Sequence, residues 1–166
     1  MKRFFTCLAF AAALATATCF AGYPISKVDK ITPSDEIFMD MATSAAAKSK
    51  NSNGLPCGAV IILNNAFRSA GTPAANVTAE QNAIAKAALP NLANAVIYTV
   101  NEPTVEAYND ICRFGAQAVY FVNPRQTVIA KGIYTADDYD DSRIDTSLTP
   151  VPMHQISFEE AEDLLK

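Results

Sequence analysis

Glu80 is the side chain of this sequence best placed to move a proton. It lies in Thr78-Ala79-Glu80-Gln81-Asn82-Ala83-Ile84, at the head of an Ala-rich run that Pro90 stops. The Ala-rich composition and the Pro90 stop predict a helix over 78–89, with Glu80 in its first turn. A carboxylate held there, inside a pocket, is an acid–base group. The bland reading is a residue that caps its own helix or pairs with a neighbour. A second helix start follows in Asn101-Glu102-Pro103-Thr104-Val105-Glu106-Ala107, where Pro suits the first turn and Gly115 follows the expected end at Arg113. Glu102, Glu106 and Asp110 repeat at i, i+4 and i+8, which predicts one helix face. That face is either a solvated stripe or a seat for a hard cation.

The remaining chemistry-bearing residues are few. Asp137, Asp138, Asp140 and Asp141 surround Tyr139, without the Gly and spaced ligands of a calcium loop, and read as a solvated acidic loop. His154 is the only histidine and is expected at the surface. Cys57 and Cys112 lie outside the N-terminal segment and read as buried small side chains or as one disulfide. Asn64, Asn65 and Asn76 each carry an amide suited to a base edge. No G-x-S-x-G, phosphate-binding loop or Rossmann glycine pattern is present.

These residues are set among alternating helices and apolar runs. Residues 22–31 read as an extended arm. Thr32-Pro33-Ser34-Asp35-Glu36 starts a helix that Lys48 to Gly54 ends in a polar loop. Gly58–Leu63, Ala95–Val100 and Ala118–Val122 read as buried strands, with Ala66–Arg68 returning after an Asn64-Asn65 turn and Val128–Ala130 as a further strand. Phe158–Leu165 closes the chain as a short amphipathic helix. Such alternation predicts an α/β sandwich with a largely parallel sheet.

Three segments together resemble the cytidine deaminase-like superfamily, nearest its guanine deaminase and tRNA adenosine deaminase branch, over roughly residues 35–125. Leu55-Pro56-Cys57-Gly58-Ala59-Val60 is similar to the P-[FY]-G-A-V strand entry. Thr78-Ala79-Glu80-Gln81-Asn82-Ala83-Ile84 is similar to H-A-E-x-x-A-I. Ile97-Tyr98-Thr99-Val100-Asn101-Glu102-Pro103 is similar to L-Y-T-x-x-E-P. The resemblance implies a three-layer α/β/α sandwich with a mixed, largely parallel sheet and two site helices whose N-termini meet at a pocket. In the family a His and two Cys hold zinc, and the Glu moves protons. Carried over, Glu80 matches the proton shuttle, while Thr78, Thr104 and Ala107 stand at the three ligand positions. Zinc favours imidazole and thiolate, so no metal or other cofactor is expected. Asn76, Asn101 and Glu102 are the residues expected to border a ligand. Tyr139-Asp140-Asp141 is similar to an acidic C-terminal motif of guanine deaminase-like proteins that reaches into a pocket.

Composition bounds the setting. Residues 1–21 read as a secretory signal, with Lys2 and Arg3 ahead of an apolar Phe4–Ala17 run and Cys19-Phe20-Ala21 as cleavage site. Cleavage before Cys19, as in a lipoprotein, is the weaker reading because Thr16 replaces the usual bulky aliphatic residue. Residues 22–166 then form one deaminase-like domain, periplasmic or secreted, with no second membrane-length apolar stretch. The net charge is −4 before that cleavage removes two cations. So acidic a domain is a poor partner for a phosphate backbone, and no nucleic acid is expected. Three functions stay open: an exported protein that has lost zinc-dependent deamination and binds a nucleobase-like molecule; a nucleobase or nucleoside deaminase with a rebuilt or metal-free site; and a structural or partner-binding module, for which a homodimer is the natural form.

Overall fold

The computed structural model describes residues 23–166, so the expected export signal lies outside the described residues. Strands β1 (Ile25–Lys27), β2 (Ala59–Leu63), β3 (Ala66–Gly71), β4 (Ala95–Asn101), β5 (Ala118–Asn123) and β6 (Met153–Gln155) form one sheet in the order β1-β6-β5-β4-β2-β3. The pairs β1–β6, β6–β5 and β5–β4 are parallel; β4–β2 and β2–β3 are antiparallel. The sheet is therefore mixed and largely parallel, as expected. Helices α1 (Pro33–Asn53), α2 (Ala79–Ala87), α3 (Val105–Phe114), α4 (Arg125–Ala130) and α5 (Glu159–Asp163) complete the domain. Among the described residues no helix is long and apolar enough to cross a membrane.

Alternation along the strands sorts the core into two layers. Ala59 and Ile61 of β2 and Ile97 of β4 join a cluster with Ile84 of α2 and Ile111 of α3. Val60, Ile62, Tyr98 and Val100 point the other way, onto Met39, Ala42 and Ala46 of α1 and Ala161 of α5. The helices of the candidate site thus share one face of the sheet. Two glycines let helices approach closely. A Cβ at Gly58 would lie 2.4 Å from Ala46 N, and one at Gly71 would lie 2.0 Å from Ala79 O and 2.4 Å from Ala83 N.

The caps follow the sequence. Thr32 accepts from Asp35 N (3.2 Å), while Asp35 accepts from Thr32 N (2.9 Å). Four expectations need correction. The first helix continues through the polar run to Asn53 and ends at left-handed Gly54, whose N–H reaches Lys50 O at 3.0 Å. The arm contains β1, ordered by pairing with β6. Residues 128–130 are helical, because Pro124 caps a turn that forms α4. The last helix is shorter than expected and has no side-chain cap. Cys57 and Cys112 are both buried and are free thiols.

Candidate functional site

The starts of α2 and α3 come together at the ends of β2 and β4. Thr78 caps α2: its hydroxyl accepts from Gln81 N (3.3 Å), and Gln81 Oε1 accepts from Thr78 N (3.1 Å). Thr104 caps α3 and accepts from Ala107 N (3.3 Å). Between them opens a cavity of about 330 Å³ lined in part by Asn76, Thr78, Thr104, Glu106, Tyr134 and Asp138. Asn76 adopts a left-handed conformation (φ 58°), which Asn tolerates, at the turn leading into α2.

Glu80 lies beneath this cavity rather than on its lining, 4% exposed. Its Oε1 is 2.5 Å from Thr99 Oγ1. Thr99 Oγ1 is also 3.3 Å from Gly58 O. A hydroxyl has one hydrogen, and Gly58 O can only accept. The Thr99 hydroxyl donates to Glu80 Oε1, with Gly58 O as a second, longer acceptor. Burial raises the Glu80 pKa, against hydrogen bonds from Thr99, its own backbone and Thr78 that lower it. No basic side chain pairs with it among the described residues.

Cys57 sits beside Glu80. Burial first, then the Glu80 carboxylate, push its thiol up to about 12 against hydrogen bonds from Tyr134 and Asn101. At ordinary pH it is a thiol and a weak nucleophile. Burial and the neighbouring Glu80 and Cys57 also raise the Tyr134 phenol above its usual range.

Asn101 and Glu102 are both buried, with their side chains engaged inward. Asn101 Nδ2 donates to Pro56 O (3.1 Å) and Cys57 Sγ (3.3 Å), and its Oδ1 accepts from Asn123 Nδ2 (3.2 Å). Glu102 precedes the cap of α3 and is 2% exposed. Its carboxylate accepts from Arg125 Nε (2.6 Å) and Arg125 N (2.8 Å). The face expected of Glu102, Glu106 and Asp110 does not form, since Glu102 is outside the helix and Asp110 is taken by Gln81 Nε2 (2.7 Å) and Arg113. Asn76, of the three expected ligand neighbours, does line the cavity.

The acidic loop is built into the site rather than merely solvated. Two 3-10 turns, Ala136–Tyr139 and Asp141–Arg143, carry it. Asp138 is spent on Thr135 N (2.7 Å) and Asp140 on Ser142 N (3.0 Å). Tyr139 is buried and donates to Glu102 O (2.8 Å). His154 is half-buried on β6, with Nδ1 2.7 Å from Ser26 Oγ and its ring 4.9 Å from that of Tyr120. Reading the residues alone missed Thr99, Arg125 and Tyr134. Thr99 carried a signal, being in phase with Ile97 on the site face of β4; Tyr134 and Arg125 carried none.

Zinc sites need imidazole, thiolate or carboxylate. Thr78 and Thr104 offer hydroxyls that already accept helix N–H groups, and Ala107 offers a methyl. Among the described residues no group of three His, Cys, Asp or Glu is placed to hold a metal. These residues do not fit the ion.

Residues 32–123, more than half the chain, match the family described as the cytidine and deoxycytidylate deaminase zinc-binding region, and the chain belongs to that family. Solved structures share its fold. Guanine deaminase from Nitrosomonas europaea is 16% identical with a TM-score of 0.62, covering 83% of this chain and 85% of its own. Guanine deaminase from Bacillus subtilis is 24% identical with a TM-score of 0.59, covering 77% and 88%. A tRNA:A34 deaminase is 16% identical with a TM-score of 0.61, covering 77% and 98%. At these identities the likeness is one of fold. No curated protein matches the sequence.

Proposed function

We propose that this chain is an exported deaminase-family protein that has lost zinc-dependent deamination and binds a small nitrogenous base in the remaining cavity. The observation that carries this reading is the fate of the ligand positions. Thr78 and Thr104 spend their hydroxyls as helix caps, and Ala107 has no donor. No zinc-bound water is then generated, and Glu80 has no proton to shuttle. Loss of the metal leaves the cavity itself, whose lining mixes Tyr134 and Leu55 with the amide of Asn76 and the carboxylate of Glu106. A planar base with ring nitrogens and amino groups suits such a wall. That solved relatives act on guanine and on tRNA adenosine makes purines the first class to try. Export rests on residues 1–21 of the sequence.

Turnover through a metal-free Glu80 is the weaker reading, because the carboxyl is buried and engaged inward with Thr99. A partner-binding role has no observation in its favour beyond the family's habit of pairing. Calorimetry of residues 22–166 with adenine, 2-aminopurine, cytosine and their nucleosides tests the ligand. Saturable binding of at least one is expected; no heat from any of them would remove the small-molecule part of the reading.

A further inference from the structure

Arg125 touches four other residues at once, Glu102, Tyr139, Asp141 and Tyr23, and the function proposed above does not use it. It follows β5 and opens α4. Its Nε and backbone N both reach the Glu102 carboxylate, at 2.6 and 2.8 Å. Its Nη1 reaches Asp141 Oδ1 at 2.9 Å and Tyr139 O at 3.4 Å. Its guanidinium carbon is 4.6 Å from the centre of the Tyr23 ring and 5.3 Å from that of Tyr139. The planar fork and the two ring faces use properties of Arg that Lys lacks.

The partners on one side are fixed. Glu102 directly follows β4 and accepts through its own carbonyl from Tyr139. Those on the other side belong to residues 133–145, which contribute no strand to the sheet and hold only two 3-10 turns. That segment supplies Tyr134, Asp138 and Arg143 to the cavity lining. A stretch without a backbone ladder keeps its place mainly through side chains, beside one backbone bond from Ile133 N to Val128 O (3.1 Å) and the packing of Ile133, Tyr134 and Ile144 on the core. Further ties run from Tyr139 to Glu102 O, from Tyr134 to Cys57, and to α3, where Asn109 Nδ2 donates to Arg143 O (3.0 Å) and Asn109 Oδ1 accepts from Asp145 N (2.9 Å).

We propose that Arg125 is a positioning residue: by tying Tyr139 and Asp141 to Glu102, it holds residues 133–145 in place as the outer wall of the cavity. The functional consequence rests on the cavity being a ligand site; the tie itself does not. Removing the tie loosens the wall without unfolding the sheet, since the buried cluster is built on β2, β4, β5, α2 and α3 and the wall adds only the partly buried Ile133, Tyr134 and Ile144 at its edge.

Two variants of residues 22–166 test this. Asp141→Asn removes one arm at a side chain 36% exposed, leaving the buried Glu102–Arg125 pair intact. Arg125→Lys keeps the charge and loses the fork. Amide hydrogen exchange should quicken by about fivefold or more over 133–145 in both, the scale of one ion pair, while α2 and β4 keep their rates. 2-Aminopurine, followed by its fluorescence, should bind both variants more weakly than the parent. Unchanged exchange over 133–145, or an equal rise throughout the chain, overturns the proposal. Faster exchange confined to 133–145 with no 2-aminopurine binding even to the parent leaves the tie standing and removes the base-binding reading instead.

Discussion

At the residue scale, Glu80 is a buried carboxyl held by a neighbouring strand. The carboxyl occupies the family's proton-shuttle position, yet its contact is inward, to Thr99, which has Gly58 O as a second neighbour. The register pairs Ala59 with Thr99, so strand pairing places this hydroxyl between helix and sheet. The sequence identified Glu80 through the Thr-Ala-Glu segment. It did not show Thr99, nineteen positions away, because only the pairing brings the two together. Replacing Glu80 with Gln keeps an acceptor and the shape; replacing it with Ala strands the Thr99 hydroxyl. Glu80→Ala should cost about 1–3 kcal/mol in urea unfolding, and Glu80→Gln markedly less. The pH dependence has a definite sign. The folded pKa lies above the ordinary 4.5, so the folded state holds its proton longer than the unfolded chain. Its stabilising contribution is complete below that value and is lost as pH rises through the folded pKa. The parent should therefore lose stability relative to Glu80→Gln as pH is raised from about 4.5. A parent that gains on Glu80→Gln over the same range would show an ionised, paired carboxylate.

At the scale of elements, Thr78 and Thr104 are helix caps. The sequence placed helix starts at Thr78 and Pro103; the helices begin at Ala79 and Val105, each one residue after its Thr. Elements set by local chemistry were read well: the Pro and Thr helix starts, the Gly115 stop and the three buried strands. Those set by distant pairing were not. β1 and β6 are three residues each, too short for a period to register, and they exist as strands through each other and β5. Val128 to Ala130 are apolar enough to read as a strand, but Pro124 before them commits the chain to a helical turn. Gly71 is a further case: nothing local marks it, yet α2 lies against it through Ala79 and Ala83. Gly71→Ala forces backbone against backbone and should cost about 3 kcal/mol, seen as a lower urea midpoint. An unchanged midpoint would mean that α2 is free to shift, which the Ser69 Oγ bond to Ala83 O at 2.8 Å opposes.

For the whole molecule, the family and the class of sheet were legible because three motifs kept their order and spacing. The order β1-β6-β5-β4-β2-β3 was not, since the last part of the chain threads β6 between β1 and β5. That threading brings residues 133–145 across the site, which is why an acidic stretch that read as solvated contributes buried Tyr139 to it. The candidate site was thus half visible: the positions of Thr78, Glu80, Thr104 and Ala107 came from the motifs, while Tyr134 and Arg125 came from the fold. The whole reading turns on whether this assembly holds zinc. Elemental analysis of purified residues 22–166, produced with zinc available and dialysed without chelator, measures that directly. Zinc far below one equivalent per chain is the expected result. One tightly held equivalent would contradict it, and would mean that side chains other than Thr78, Thr104 and Ala107 form the metal site.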